Sequence, residues 1–225
     1  MAIPLIPPRA PNLPLAPGQY ESRYLEQLNN TLRLYFNTID NFSQQFVAET
    51  GGSYLKFPFI EASDSGTQYA TGNNTATIVN WDTTALGNGF TLNVNNTATA
   101  LLTGIYKITY SLQFANNDNA AHDAPVWLRI NGSTSAADVA NSATIFTVPA
   151  RKSAGVPTFV CGYSEVVFTL NAGDTVGLWW GTDLAATSGG ATGIYMYAQA
   201  AQTTPMAYPA TPSALGSITF VSALY

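Results

Sequence analysis

The sequence predicts a mainly β fold: a C-terminal jelly-roll β-sandwich preceded by an extended, proline-rich arm and one coiled-coil helix. Three observations carry this prediction. Six of the 13 prolines lie in the first 18 residues, residues 19–49 contain neither proline nor glycine, and short alternating segments fill the rest of the chain. The expected domains are therefore an arm at 1–18, a trimeric coiled-coil helix at 19–50 and a jelly-roll head at 53–225.

The arm cannot be a helix or a central strand, because proline fixes φ and lacks an amide donor. An extended polyproline II segment is expected, with apolar side chains that need a groove to lie in. A disordered tail is the alternative. We expect the arm to anchor the protein in a larger particle. The predicted anchoring residues are Ile3, Leu5, Ile6, Arg9, Leu13 and Leu15.

Residues 19–50 carry the pattern of a coiled coil. Apolar residues recur at alternating spacings of three and four, which is typical of a coiled-coil seam. The aromatic members of this stripe are bulky for two strands and favour three. A single amphipathic helix packed on its own body is the alternative, and Gly51–Gly52 is expected to end the helix. The predicted seam residues are Leu25, Leu28, Leu32, Tyr35, Ile39, Phe42 and Phe46.

The remaining residues predict about ten short strands, because apolar and polar residues alternate between turn signals. In Gly104–Ala115 every second residue from Tyr106 to Phe114 is apolar, so these side chains are expected in the core. Pro125–Asn131 alternates in the same way, and Asn131–Gly132 is expected to turn the chain.

The C-terminal third continues the same pattern. Val166–Leu170 and Thr175–Trp180 are separated by the turn residues 171–174, which predicts a hairpin. Gly193–Gln199 and Ser217–Tyr225 also alternate. Many strands at short spacing, with no helix between them, favour a jelly-roll sandwich.

Several aromatic residues are candidates for an interaction surface. By alternation Trp180 enters the core, whereas Trp179, Tyr195 and Tyr197 point outward from strands expected to be adjacent. Outward aromatic side chains favour a buried interface or a ligand surface. We interpret these three residues as part of a trimer seam, with sugar binding as the alternative.

The composition excludes several function classes. Charged residues make up 9% of the 225 residues, and 13 acidic against eight basic side chains leave a net charge of −5. Such a chain cannot neutralise a run of phosphates, so no nucleic-acid partner is expected. One cysteine and one histidine exclude a disulfide framework and the usual zinc sites, so no metal and no cofactor are expected. No apolar run is long enough to cross a bilayer, so no membrane partner is expected.

Candidate catalytic residues are scarce. A Ser-His-Asp arrangement could use only His122, which lies next to Asp123 in a polar run and is interpreted as a loop histidine. Cys161 lies in a strand-like context, where a buried small apolar residue is expected. Acidic residues of the body fall mostly at turn positions, which argues against paired catalytic carboxylates. We therefore expect no catalytic residues and no enzymatic activity.

The order of the predicted strands resembles the tumour-necrosis-factor-like jelly roll, which the globular heads of the first complement component share. The resemblance lies in the segments GIYKITYSLQF (104–114), VWLRING (126–132), VVFTLNAGDTVGLWW (166–180) and SITFVSALY (217–225). It covers about 120 residues and implies a head that trimerises through the outer face of one sheet. A coiled coil ahead of that head would share its axis.

A second resemblance covers most of the chain and is to structural proteins of tailed bacteriophages of the marine type. It implies a virion-associated protein. The segments that carry it are NLPLAPGQY (12–20), YLEQLNNTLRLYFNTIDNF (24–42), HDAPVWLRING (122–132), FTVPARKSAG (146–155) and AAQTTPMAYPATPS (200–213).

Together these features predict a non-enzymatic, homotrimeric virion structural protein, made in the host cytoplasm. Its expected placement is a capsid decoration or head fibre anchored by the arm. The expected partners are other copies of the chain and other virion proteins, such as the major capsid or tail protein. One alternative is a tail fibre or receptor-binding spike that contacts host-surface glycans, and another is a spike that cleaves polysaccharide.

Overall fold

A computed structural model describes residues 9–15, 18–19, 21–47, 57–188 and 192–224. The chain divides into two units, residues 1–56 and residues 57–225. The predicted anchoring residues Ile3, Leu5 and Ile6 and the predicted helix end at Gly51–Gly52 lie outside the described residues.

The first unit contains the helix α1 (Ser22–Val47). Residues 9–15 before it have neither helix nor strand. Most of the predicted seam is half-buried, but Leu34 and Phe36 lie outside that stripe and are 63% and 58% exposed. The apolar surface of the helix is therefore wider than the heptad stripe. No helix in the described part of the chain is long and apolar enough to span a membrane.

The described part of the second unit contains 13 strands and one turn of 3-10 helix at Ser135–Ala137. The strands are β1 (Phe59–Asp64), β2 (Gln68–Tyr69), β3 (Thr77–Ile78), β4 (Thr83–Asn88), β5 (Phe90–Leu92), β6 (Ala98–Ala100), β7 (Gly104–Asn116), β8 (His122–Ile130), β9 (Thr144–Val148), β10 (Thr158–Leu170), β11 (Thr175–Trp180), β12 (Ile194–Met196) and β13 (Ala214–Ser222).

These strands form two antiparallel sheets. The seven-stranded sheet has the order β2-β12-β7-β13-β1-β4, and β10 pairs along the other side of β7. The six-stranded sheet has the order β5-β6-β11-β8-β9, and β3 pairs with β11. The two antiparallel sheets confirm the prediction of a mainly β sandwich.

One hydrophobic core lies between the two sheets. From the seven-stranded sheet, β7 contributes five alternating side chains from Tyr106 to Phe114, none more than 4% exposed. From the six-stranded sheet, Leu128 and Trp180 face them, also fully buried. Both predictions about the core, the inward face of β7 and the burial of Trp180, are confirmed. Each large side chain buried here stabilises the head by about 1.5–3 kcal/mol.

The predicted hairpin at 166–180 is wrong in its pairing. A tight turn is present, with Gly173 at a φ of 92° and the Asn171 amide donating to Asp174 Oδ2 at 2.7 Å. However, β10 pairs with β7 in one sheet, whereas β11 lies in the other sheet. The turn therefore carries the chain across the sandwich.

The predicted turn at Asn131–Gly132 is only the start of a longer connection. Asn131 has a left-handed φ of 57°, as a turn residue can. The next strand begins at Thr144, so this is not a two-residue hairpin. The intervening residues include the 3-10 turn, whose neighbour Asp138 binds back to β8.

Candidate functional site

The three aromatic residues predicted to form one surface lie on different sheets. Trp179 belongs to β11 of the six-stranded sheet, whereas Tyr195 belongs to β12 of the seven-stranded sheet. The expectation that they sit on adjacent strands is therefore wrong. Alternation places each side chain on a face, but it does not assign a strand to a sheet.

Tyr195 is also buried, at 7% exposure, and is not available as an open surface residue. Its ring stacks on Tyr69 at 5.7 Å between centroids, and Ala186 packs against it from the loop that follows β11. Burial raises the pKa of Tyr195 above its usual value. Tyr197 is half-buried, with its ring 5.0 Å from that of Phe159.

Trp179 forms part of a stack on the outer side of the six-stranded sheet. The Arg129 guanidinium lies over its ring at 4.3 Å and over the Trp127 ring at 5.4 Å. Asp138 pairs with Arg129 and accepts a hydrogen bond from the Trp127 indole at 2.8 Å. The bond to Arg129 holds the pKa of Asp138 below its usual range. Trp179 is thus a half-buried member of a fixed cluster.

The outer side of the seven-stranded sheet carries a group of exposed apolar side chains. Every second residue of β10 points away from the core, and several of these are large apolar side chains. We call this surface the β10 face and define it by Phe159 (50% exposed), Tyr163 (62%), Val167 (60%) and Leu215 (42%).

The centre of the β10 face is a shallow groove of about 340 Å³. Its floor consists of small polar side chains of β7 and β13, including Ser111 and Ser217. Tyr163 and Leu215 flank Ser111 in the register of the sheet. One ion pair, Lys107 with Glu165 at 3.4 Å, lies on the same side. The face therefore combines a concave centre with apolar walls, as self-association surfaces often do.

Sequence reasoning missed the β10 face, although a signal was present. Both alternating sets of β10 are apolar, with Val160, Val166 and Phe168 on the inner side and Phe159, Tyr163 and Val167 on the outer side. A strand that is apolar on both faces indicates burial on both faces. Among the described residues nothing buries the outer set, since Phe159, Tyr163 and Val167 are 50%, 62% and 60% exposed.

Cys161 lies on the same outer side, and the prediction of a buried cysteine is wrong. It is exposed, and its Sγ lies 3.1 Å from Ser111 Oγ across the sheet. The two residues beside it, Val160 and Gly162, take the inward positions instead. Because Val160, Cys161 and Gly162 are all small, the sequence does not show which of them point into the core.

His122 is not a loop residue but the first residue of β8, and its side chain is mostly buried. Nδ1 lies 2.8 Å from Asp183 Oδ2, and Nε2 lies 3.1 Å from Asp118 Oδ2. Burial alone would lower the pKa of His122, but the bonds from both carboxylates outweigh it and raise the pKa. Hydrogen bonds from both ring nitrogens to carboxylates stabilise the protonated form of the imidazole. Among the described residues, no three His, Cys, Asp or Glu side chains are grouped to hold a metal ion.

The remaining predicted site residues belong to the first unit. Arg9, Leu13 and Leu15 are exposed, and Leu15 is almost fully so. In α1, Leu25 is exposed, whereas the other predicted seam residues with described side chains are half-buried. The side chain of Phe46 lies outside the described ones. Leu13, Leu15 and Leu25 therefore present apolar side chains to solvent.

Comparison of the sequence with protein-family models and with curated proteins finds no match.

Proposed function

We propose that this chain is a non-enzymatic structural protein of a bacteriophage virion, a homotrimeric capsid decoration or head fibre anchored by its N-terminal arm. The observation that carries the proposal is the β10 face. Four large apolar side chains stand exposed on one sheet of a head whose charged residues are few. An exposed apolar surface of this kind marks a place where another molecule binds.

The occupant of the β10 face is a second and a third copy of the same chain. Copies related by a closed symmetry cover each other's apolar residues without leaving an open edge. Tyr163 and Leu215 stand beside the shallow groove, so the walls of one copy can enter the groove of the next. Burying apolar surface contributes about 25 cal/mol per Å².

The head is a jelly roll in this proposal. Its eight main strands pair in a nested way: the first, β1, with the last, β13, and then β6 with β11, β7 with β10 and β8 with β9. Nested antiparallel pairs that alternate between two sheets are the jelly-roll arrangement. This order agrees with the resemblance to tumour-necrosis-factor-like heads, which trimerise through one sheet.

The helix and the arm support the same assembly. The half-buried stripe of α1 supplies a coiled-coil seam on the trimer axis. Leu13 and Leu15 of the arm are exposed and free to dock elsewhere. The resemblance of the arm and helix segments to phage structural proteins favours the virion as the place of docking. Three arms on one trimer would convert weak single contacts into firm attachment.

The trimer is tested by the mass of the protein in solution. Light scattering should give three times the chain mass of 23.9 kDa. Val167→Asp should lower the mass of the assembly in solution, because burying a carboxylate in an apolar interface is strongly unfavourable. Val94→Asp is the matched control, since Val94 is fully exposed and lies outside the β10 face. A wild-type mass of one chain would contradict the trimer.

The placement is tested by locating the protein in intact particles. Antibodies against the head, visualised by electron microscopy, should label phage capsids. Labelling confined to tail tips would favour the tail fibre or receptor-binding spike. Particles without label would overturn the virion assignment while leaving the trimer measurement intact.

A further inference from the structure

We propose that the head binds a neutral saccharide in a groove on the outer side of its six-stranded sheet. The groove has a volume of about 510 Å³ and lies between β8 and the residues that follow β11. We call it the Trp127 groove. The residues that line it include Trp127, Ile145, Gly181, Asp123, Asp183 and Asn74. A volume of this size suits a ligand of two or three sugar rings.

Trp127 provides a fixed aromatic platform at this groove. The indole Nε1 donates to Asp138 at 2.8 Å, and the Arg129 guanidinium lies over the ring at 5.4 Å. The ring is therefore oriented before any ligand arrives, so little side-chain entropy is lost on binding. A sugar ring presents a face of C–H groups, and such a face packs well on an aromatic ring.

Gly181 keeps the space beside the platform open. A Cβ at this position would lie 3.5 Å from the Thr75 carbonyl oxygen and 3.8 Å from Cη2 of Trp127. Any longer side chain would fill the groove. On the β9 side Ile145 is 65% exposed, and it adds a second apolar contact.

The polar groups of the groove are oriented by their own hydrogen bonds. Asp183 Oδ2 accepts from His122 at 2.8 Å, and Asp183 Oδ1 accepts from the Asp123 amide at 3.3 Å. Asp123 Oδ1 accepts from Thr147 Oγ1 at 2.6 Å. The remaining lone pairs of these carboxylates can accept from sugar hydroxyls, which are donors that need fixed acceptors.

The charges of the groove favour a neutral ligand. No basic side chain is found among the described residues that line it, which disfavours acidic sugars. Of the two carboxylates that line the groove, Asp183 is paired with His122, and Asp123 accepts a hydrogen bond from the neutral hydroxyl of Thr147. Asn74, exposed and at a φ of 52°, supplies an amide that can both donate and accept. Hydrogen-bond donors and acceptors that lie together beside an aromatic ring can bind the neighbouring hydroxyl groups of a sugar.

This inference does not depend on the proposed trimer. The Trp127 groove lies on the outer side of the six-stranded sheet, whereas the β10 face belongs to the seven-stranded sheet. A trimer formed through the β10 face would leave the groove open to solvent. The mass of the protein and its sugar binding can therefore succeed or fail separately.

The test is equilibrium binding of fluorescently labelled linear pentasaccharides of glucose, galactose, mannose and N-acetylglucosamine to the full chain. At least one should bind, and Trp127→Ala should weaken that binding at least about tenfold. Phe57→Ala is the control, because Phe57 is an aromatic residue that is 54% exposed and does not line the groove. It should bind like the wild type.

A second pair of variants guards against loss of folding in Trp127→Ala. Asp123→Asn keeps the shape of the side chain and should weaken binding, whereas Asp82→Asn, an exposed acid outside the groove, should not. Their melting temperatures should match that of the wild type. Failure of all four sugars to bind, or unchanged binding in Asp123→Asn and Trp127→Ala, would overturn the proposal. If lysine methyl ester, a cation, displaced the labelled sugar as well as the unlabelled sugar does, the conclusion that the ligand is neutral would be overturned.

Discussion

At the scale of single residues, His122 connects parts of the head that are far apart in sequence. Its ring joins Asp118, in the loop before β8, to Asp183, in the segment after β11. Both contacts are hydrogen bonds between charged groups once the imidazole is protonated, which makes them stronger than neutral ones. The pair of carboxylates therefore stabilises the protonated ring, and the ring in turn fixes the acid end of the Trp127 groove.

We expect His122→Gln to lower the free energy of unfolding in a pH-dependent way. Because the pKa of His122 is raised on folding, its contribution is complete below the unfolded pKa of about 6.5 and is lost as the pH rises through the folded pKa. The pKa of Asp118 is lowered by its bond to His122. That of Asp183 is also lowered, because the His122 bonds outweigh burial. These two contributions are lost as the pH falls below about 4.

The loss of stability in His122→Gln should thus be greatest between about pH 4 and 6.5, at about 1–2 kcal/mol after allowance for the exposure of Asp183. Urea unfolding at several pH values measures it. Lys152→Gln, which removes a positive charge from an exposed side chain, serves as the control for the general effect of losing a positive charge. A difference between wild type and His122→Gln that stayed constant up to pH 9 would contradict the assignment.

At the scale of elements, α1 raises the question of which of its apolar residues form the seam. Leu32 and Ile39 belong to the heptad stripe and are half-buried, whereas Leu34 is largely exposed. If the stripe is a coiled-coil seam, Leu32→Asp with Ile39→Asp should lower the melting temperature of the helix signal. The cost should be several kcal/mol per trimer, since each buried aliphatic side chain is worth about 1.5–3 kcal/mol.

Leu34→Asp introduces one carboxylate two residues after Leu32, on the opposite side of the helix, and should leave the helix signal unchanged. Circular dichroism at 222 nm, followed during heating of the full chain, distinguishes the two variants. Equal effects of both would mean that the wider apolar surface of α1, including Phe36, forms the contact. The seam would then not follow the heptad.

The strands show how far alternation alone predicts this fold. In β7 the inner and outer sets differ sharply, Tyr106 and Leu112 against Lys107 and Gln113, so the core face follows directly from the sequence. In β10 both sets are apolar, which indicates that both faces of the strand are covered but does not show which set faces the core, so the exposed position of Cys161 could not be predicted. A tight turn at 171–174 looks the same whether it joins paired strands or crosses between sheets. Sheet membership depends on contacts between distant residues.

The candidate site was predicted less well than the core, for the same reason. Trp179 and Tyr195 are separated by the sandwich, and Tyr195 is covered by a loop whose path the sequence pattern does not reveal. The Trp127 groove brings β8 together with the residues after β11. The alternation of β8 places Asp123 and Trp127 on the same outward face, but it does not show that Asp183 lines the same groove.

At the scale of the whole molecule, the proposed anchoring role of the arm predicts that attachment can be lost without loss of folding. Proline-rich segments lose little entropy on docking, because the free chain is already restricted. Deleting residues 1–17 should therefore leave a trimer whose head melts within about a degree of the wild type, since the core consists of residues of the second unit. The same protein should no longer join particles, which a pull-down with purified virions lacking the protein would measure.

Replacing Ile3, Leu5 and Ile6 with serine keeps every proline and isolates the apolar contribution to docking. This variant should bind virions much more weakly than the wild type. Normal occupancy by the deletion variant would show that the helix or the head makes the contact. Normal occupancy by the serine variant alone would place the contact on Leu13, Leu15 or the prolines.

The position of β13 has a consequence for how the head is made. This strand is synthesised after all the others of the head, yet it lies between β7 and β1, so that residue 219 pairs with residue 59 and residue 217 with residue 109. A nascent head is therefore an incomplete sheet with two unpaired edges until β13 emerges, and such edges invite aggregation. The helix has only local hydrogen bonds and can form much earlier. A substitution that weakens the pairing of β13 should therefore lower the yield of soluble protein, even where it is too mild to lower the melting temperature of the folded protein.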